Sequence, residues 1–319
     1  MPDSKLPTFE EVANDALALD AARLHPDTIR DRRRVLEQYA FPYIGTVPLS
    51  ELTCMPVVDV LLPIWREKPA QARKVKTLIC RVVNPAIVSG CRNDHFNFDA
   101  VALALGAQPR PMPRSRLPFS EVPSVLTEVR ESDASPASRL GLEFLVLTAA
   151  RSVEVRGAKW VEMDLDAAVW TVPAERMKSS REHRVPLSRG VLAVLDKARA
   201  VGPGAGFIFS NARGRTLSAS ALSTLLRKLE IGTTPHSFRA SFRDWCVETG
   251  VLQDDAELCL GHSKRGMGNV FCPSDRLVPR RKVMEDWAAY VLPDVSPQLL
   301  ALLAENRQHG DGPASPSCK

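Results

Sequence analysis

The chain has 319 residues, with 42 Lys and Arg against 37 Asp and Glu and a formal net charge of +5. This length is enough for two domains with separate cores. No apolar run of about 18 residues is present, which argues against a membrane span, and the N-terminus lacks the basic start and apolar stretch of a secretory signal. The positive charge permits nucleic acid as a partner without demonstrating it.

The first part of the chain, residues 1–106, predicts an almost entirely helical domain. Thr8 is a suitable N-cap for the first helix, and Glu11 follows at the capping-box position. We expect further helices over about 27–39, from near Met55 onwards, and over 69–90.

Basic residues in the last of these helices are candidates for contacts with DNA phosphates. They are Arg73, Lys74 and Lys76, and such contacts fix the register of a protein on DNA without reading its sequence. The run Arg32-Arg33-Arg34 is a second cluster with a weaker claim. A solvated charged face is the alternative interpretation of both.

Residues 107–116 predict a linker between two domains. The segment reads Ala-Gln-Pro-Arg-Pro-Met-Pro-Arg-Ser-Arg. Three prolines keep it extended, and Arg110, Arg114 and Arg116 make it basic. It is either a solvated spacer or a segment that follows a DNA backbone.

The second part, residues 117–292, predicts a domain of mixed composition. We expect helices over about 120–130, 138–149, 218–229, 236–249, 254–260 and 279–290. Short strands at 168–172 and 183–187 flank a polar, basic segment and predict a hairpin with a long tip. An apolar helix rich in Leu is expected within residues 293–305, docked on a hydrophobic groove, and residues 306–319 are expected to be disordered.

Seven cysteines, at positions 54, 80, 91, 246, 259, 272 and 318, form no C-x-x-C pair. Their scatter indicates reduced thiols in a cytosolic protein. No Cys and His cluster has the spacing of zinc ligands, so we expect no metal site.

Three motifs of the second domain carry charged and imidazole side chains. They are Thr148-Ala-Ala-Arg151, Pro235-His236-Ser-Phe-Arg239 and Leu260-Gly261-His262. In this order and spacing they resemble the conserved boxes of the tyrosine recombinases, specifically the integrases of prophages and genomic islands. The hairpin that contains Lys178 is similar to the corresponding hairpin of that family.

The resemblance implies a fold that is mostly α, with a small antiparallel β-sheet in the C-terminal domain. A helical core-binding domain and an α+β catalytic domain would form a C-shaped clamp around double-stranded DNA. It further implies Arg151, Lys178, His236, Arg239 and His262 as the catalytic set, no cofactor, a cytoplasmic location beside the nucleoid, and a homotetramer on two DNA sites.

The chemistry of strand transfer suits this set. Attack on a phosphodiester builds negative charge on the non-bridging oxygens, and Arg151 and Arg239 could bind those oxygens through their guanidinium forks. Lys178 could protonate the departing 5′ oxygen, although Arg176 and Arg181 lie in the same basic tip. We expect Glu154, three residues after Arg151, to orient an arginine or support the fold.

The sequence departs from the family at the nucleophile. The family's tyrosine lies nine or ten residues after the second histidine, and the matching residue here is Phe271. A phenyl ring has no hydroxyl to attack phosphorus, so we expect binding without cleavage. A deliberate Tyr-to-Phe replacement and a natural loss of activity are both open explanations.

Two other classes of protein are alternatives to an integrase. A non-catalytic DNA-binding relative would occupy sites without cleaving them. A metal-dependent nuclease would need clustered acidic residues to hold metal ions, and the sequence offers no such cluster.

Overall fold

The computed structural model describes residues 6–86, 88, 90–91, 94–109, 116–177, 181–202, 206–211, 213–262 and 275–293. The chain divides into two compact units, residues 1–113 and 114–319. The predicted residues Arg110, Arg114, Lys178 and Phe271 lie outside the described part of the chain. So do the predicted C-terminal helix, apart from position 293, and the tail.

Unit 1 is helical. Its helices are α1 (Phe9–Ala21), α2 (Pro26–Tyr39), α3 (Phe41–Ile44), α4 (Cys54–Trp65), α5 (Pro69–Val83) and α6 (Phe98–Leu105). The predicted capping box at α1 is present, because Thr8 and Glu11 each accept the other's backbone N–H.

The predicted fourth helix, 69–90, was wrong at its C-terminal end. The α-helix stops at Val83 and a single 3₁₀ turn, Asn84–Ala86, follows. Pro85 explains the change, because proline has no N–H with which to continue the α-helical hydrogen bonds.

Unit 2 contains eight α-helices and three strands among its described residues. The helices are α7 (Val122–Glu131), α8 (Pro136–Thr148), α9 (Ser152–Arg156), α10 (Arg189–Val201), α11 (Ala221–Lys228), α12 (Ser237–Glu248), α13 (Gln253–Cys259) and α14 (Leu277–Val291). The strands are β1 (Met163–Asp164), β2 (Val169–Val172) and β3 (His183–Pro186). The predicted fold class, mostly helical with a small antiparallel sheet, is confirmed.

The sheet is antiparallel in the order β1-β2-β3. The predicted hairpin is its β2-β3 half, with Trp170 opposite Val185. The two-residue strand β1 was not predicted, since two residues are too short to show an alternating pattern.

Helix α8 forms the centre of unit 2. Every residue from Gly141 to Thr148 is buried, and the helix packs against α7, α10, α11 and α14. The Phe144 ring contacts Trp170 and Phe209, each at 5.2 Å between ring centroids. The Trp287 indole of α14 donates to the Val146 carbonyl at 2.8 Å. This packing fixes the C-terminal end of α8, where the first motif begins.

Candidate functional site

A sharp turn at the end of α8 places Arg151. Ala149, the C-cap of α8, has a left-handed backbone with φ of 49°. Arg151 is extended, with φ of −79° and ψ of 147°, and is the N-cap of α9. The first motif therefore spans a three-residue break between two helices, and its arginine is the last residue of that break.

Glu154 holds Arg151 in place. Its side chain is only 2% exposed. One carboxylate oxygen accepts the Arg151 backbone N–H at 2.8 Å, and the other accepts from Nη1 of the guanidinium at 2.7 Å. A bidentate contact of this kind fixes both the backbone and the side-chain direction. Glu154 thus orients an arginine, as the sequence indicated.

Arg239 of α12 joins the first and third motifs. It is 4% exposed, and its Nη1 donates to the Ala149 carbonyl. Its Nη2 donates to the Leu260 carbonyl at 2.6 Å and lies 3.2 Å from Nε2 of His262. Burial, followed by the neighbouring charge of Arg151, lowers the pKa of Arg239 to about 10. The side chain is still a cation at neutral pH.

The two histidines of the motifs lie in different environments. His262 follows the end of α13, and its side chain is 44% exposed. His236 is the N-cap of α12 and is exposed, whereas Arg239 one turn later is buried. An interval of three residues favours one helix face for His236 and Arg239, but the structure exposes one and buries the other.

The sequence left three basic residues of the hairpin tip as candidates to protonate the departing 5′ oxygen: Arg176, Lys178 and Arg181. The structure argues against Arg176. Its Nη1 donates to the Glu154 carbonyl at 3.1 Å, and its Nη2 forms an ion pair with Glu162. A guanidinium held in this way supports α9. It is not available to follow a leaving oxygen.

His183 belongs to the site, although the sequence indicated only a strand residue. A Cβ built on Gly261 would lie 3.2 Å from the His183 ring, so this imidazole packs against the residue before His262. Burial, and then the charges of Arg280, Arg239 and Arg151, lower the pKa of His183 to about 3, against the effect of a hydrogen bond with the Cys259 backbone. A neutral ring therefore lies among three cations.

A signal for His183 was present in the sequence. Side chains alternate between the faces of a strand, so His183 shares its face with Val185, which is 2% exposed. A histidine on a core-facing position of a hairpin beside the basic tip is a candidate for the site.

The basic residues predicted to contact DNA in unit 1 differ in their surroundings. Arg73 is exposed and donates to the Gln108 side chain at 2.9 Å. Lys74 forms an ion pair with Asp31 and lowers the pKa of that carboxyl. Lys76 is half-buried.

In unit 2, Arg116 is 75% exposed and lies 3.9 Å from Asp244.

No helix in the described part of the chain is long and apolar enough to cross a membrane. Within those same residues, no group of three His, Cys, Asp or Glu side chains is arranged to hold a metal ion. Burial raises the pKa of the Cys246 thiol to about 12 and that of Cys259 to about 11.

Both parts of the chain match models of known domains. The model of the phage integrase family matches residues 115–275, and the model of the phage integrase central domain matches residues 9–100. The prophage integrase IntZ of Escherichia coli strain K12 is 30% identical over 286 residues, covering 88% of this chain and 70% of that protein. The integrase of enterobacteria phage P4 is 28% identical, covering 89% of this chain and 69% of that protein.

Solved structures share the fold. A lambda integrase dimer bound to a COC′ core site superposes with a TM-score of 0.65 at 20% identity, covering 81% of this chain and 96% of that one. The Tn1549 transposon integrase in complex with circular intermediate DNA gives a TM-score of 0.62 at 16% identity, covering 79% of this chain and 92% of that one.

Three features together define the class of tyrosine recombinases. They are the helical unit, the unit with the small sheet, and the arginines and histidine brought together between α8 and α13. The matched models cover both units, and relatives such as IntZ match over most of the chain. The chain belongs to the phage integrase family and is of the prophage type.

Proposed function

We propose that this protein is a site-specific DNA recombinase that binds core DNA sites and holds a backbone phosphate with Arg151 and Arg239, beside His262. The observation that carries the proposal is the meeting of three sequence motifs at one place. Arg239 bonds the turn before Arg151 and also contacts His262, 23 residues further along the chain. In a member of the phage integrase family, this cluster is suited to a phosphodiester.

The electrostatics of the cluster support binding of an anion. Arg151 is close enough to Arg239 for its charge to lower the pKa of Arg239. Such mutual repulsion is relieved when a phosphate oxygen lies between two guanidinium groups. The bonds from Glu154 and from the carbonyls of Ala149 and Leu260 hold both side chains before DNA arrives, and preorganised donors of this kind stabilise charge as it develops.

The roles of the remaining predicted residues are part of the same proposal. Lys178 would protonate the leaving 5′ oxygen, and His236 would donate a hydrogen bond to the phosphate. Arg73, Lys76, Arg110, Arg114 and Arg116 would contact the DNA backbone on either side of the site. Lys74 would add to these contacts after exchanging Asp31 for a phosphate.

The working assembly would be a homotetramer on two DNA sites in the cytoplasm, beside the nucleoid. A lambda integrase tetramer bound to a Holliday junction shares the fold, with a TM-score of 0.65 at 19% identity. An apolar segment within 293–305 would dock on a neighbouring protomer.

Phe271 makes cleavage the step that this chain cannot perform. The family's intermediate is a 3′-phosphotyrosyl link, and no hydroxyl is present at this position to form it. A Tyr-to-Phe variant of the Tn1549 integrase has been solved in complex with transposon right-end DNA, with a TM-score of 0.60 at 15% identity. For the present chain we propose binding without cleavage. Phe271 also favours a second candidate function, a relative that occupies DNA sites and has no catalytic role.

One experiment separates the two candidates. Because the unaltered chain is expected to bind without cutting, it can select its own site from a pool of random duplexes. The Phe271→Tyr variant is then incubated with the selected duplex carrying a nick at each position in turn. An intact catalytic set predicts an adduct of protein and DNA that survives denaturant, with the protein joined to a 3′ phosphate.

Two controls define the result. Phe271→Leu keeps an apolar side chain and should give no adduct, and Arg151→Ala in the Phe271→Tyr background should abolish the adduct. Selection of a site without any adduct from Phe271→Tyr would support the non-catalytic relative. Failure of the unaltered chain to enrich any duplex would reject DNA binding itself.

A further inference from the structure

Glu257 contacts His262 in two ways. It lies in α13, five residues before His262 in the chain. Its carboxylate Oε2 is 2.6 Å from Nδ1 of the imidazole, and its backbone carbonyl accepts the His262 N–H at 3.0 Å. Both the backbone and the ring of His262 are therefore tied to one residue.

The second ring nitrogen of His262 faces Arg239, 3.2 Å from Nη2. A guanidinium has donors and no acceptor. Nε2 must therefore accept in this contact, so it carries a lone pair and the proton of the neutral ring is on Nδ1. A carboxylate at 2.6 Å is the acceptor that an Nδ1–H requires. The two partners specify the same tautomer, which is the minor one for free imidazole side chains in water.

The carboxylate is itself held from the far side. Its Oε1 lies 3.0 Å from Nε of Arg243 in α12, the helix that also carries Arg239. The Glu257 side chain is 24% exposed and that of Arg243 is 54% exposed. A chain of contacts thus runs from Arg243 through Glu257 and His262 to Arg239, and its last two members belong to the proposed phosphate site.

We propose that Glu257 is the positioning residue of His262: it holds the proton on Nδ1 and so presents Nε2 as a proton acceptor on the face that binds the phosphate. This inference rests on the proposed function and extends it. When Arg239 donates to a phosphate in place of His262, Nε2 keeps its lone pair because Nδ1–H remains bound to the carboxylate.

The tautomer is measured directly, without DNA and without activity. The protein is labelled with ¹⁵N in its histidine rings, and the six histidines are assigned with single His→Gln variants. At mildly alkaline pH we expect His262 to show a protonated Nδ1, a bare Nε2 and a downfield Hδ1 resonance. In Glu257→Leu the Hδ1 resonance should be lost, and both nitrogen shifts should move toward those of a solvent-exposed, neutral histidine.

Two further variants distinguish positioning from general damage. Glu257→Gln keeps an acceptor oxygen of the same shape, so the tautomer should persist while Hδ1 moves upfield. Glu248→Gln, at the exposed end of α12, should leave the His262 signals unchanged. A proton on Nε2 in the unaltered protein, or unchanged His262 shifts in Glu257→Leu, overturns the proposal.

A binding measurement separates this inference from the proposed function. On a fluorescein-labelled duplex of about 30 base pairs, the Kd of Glu257→Gln should equal that of the unaltered chain within about twofold, because a residue that acts only through His262 adds no phosphate contact of its own. A loss of about tenfold or more would assign Glu257 to DNA binding and reject a positioning role. If the unaltered chain fails to bind the duplex, the proposed function fails, and the ring tautomer is still decided by its own spectrum.

Discussion

Protonation of His183 would place a fourth charge among Arg151, Arg239 and Arg280. Burial and these charges lower its pKa to about 3 from its ordinary value of 6.5. The unfolded chain therefore binds a proton at this residue between those two pH values, and the folded chain does not. The linkage relation makes stability fall as pH falls through this window.

We predict that His183 alone costs the fold about 2 kcal/mol when the pH is lowered from 7 to 5. The measurement is the free energy of unfolding in urea at both pH values, for the unaltered chain and for His183→Gln. Because Gln does not titrate, the variant should lose about 2 kcal/mol less than the unaltered chain over the same interval. Equal losses would show that His183 is no more buried in the fold than in the unfolded chain.

The site could be predicted from sequence only where a motif marked it. Arg151, Arg239 and His262 were found because each lies in a short pattern shared with a known family. Glu257 carries no such mark in a single sequence, and His183 is marked only by its core-facing position on the strand. Their importance comes from α13 and β3 meeting beside the same turn, and a contact between distant elements has no periodicity to reveal it.

Arg176 connects three elements of unit 2. It follows β2 on the hairpin, donates to the Glu154 carbonyl within α9, and pairs with Glu162 in the 3₁₀ turn before β1. The Trp170 indole of β2 donates to the same Glu162 oxygen at 3.0 Å. A Cβ on Gly157 would lie 2.6 Å from the Arg176 guanidinium, so only glycine leaves room for this arrangement.

We predict that Arg176→Met lowers the free energy of unfolding by about 2–3 kcal/mol, because the Glu162 carboxylate, 9% exposed, loses its cation while staying largely buried. Chemical denaturation measures the change. Arg184→Met is the matched control: its ion pair with Asp275 is partly exposed on both sides and should contribute less than about 1 kcal/mol. A similar loss of unfolding free energy in both variants would mean that the contacts of Arg176 contribute no more than a partly exposed ion pair.

Secondary-structure elements could be predicted where residues close together in the chain determine them. The capping box at Thr8 and the hairpin strands follow from patterns within a few residues. The C-terminal end of α5 was missed because apolar periodicity extends past Val83 while Pro85 ends the α-helical hydrogen bonding. Strand β1 was missed because its two residues are ordered by pairing with β2, which is a tertiary effect.

At the scale of the whole molecule, the division into a helical unit and a mixed unit could be predicted from composition and the basic linker. The number of basic residues does not show which of them already have partners within the protein. Each arginine of the run 32–34 has a partner in unit 1: Arg32 pairs with Asp20, Arg33 donates to Asn14, and Arg34 pairs with Asp31. Only the folded chain shows which charges are already matched.

The different surroundings of Arg73 and Lys74 predict unequal effects of their replacement on DNA binding. Counterion release makes the logarithm of the affinity fall linearly with the logarithm of salt concentration, by about 0.9 for each phosphate contacted. We expect Arg73→Gln to weaken binding of any duplex and to reduce the salt slope by about 1. Lys74→Gln should reduce it by less, because that ammonium must first leave Asp31.

Fluorescence anisotropy over a series of salt concentrations checks this prediction. Lys282→Gln serves as the control: this side chain is 78% exposed, and its ion pair with Asp286 at 2.6 Å lies on one turn of α14. We assign it no DNA contact, so the slope should stay the same. If Arg73→Gln and Lys282→Gln lower the slope equally, the basic face of α5 has no particular role. The binding would then reflect net charge alone, because a general attraction to DNA does not distinguish one surface cation from another.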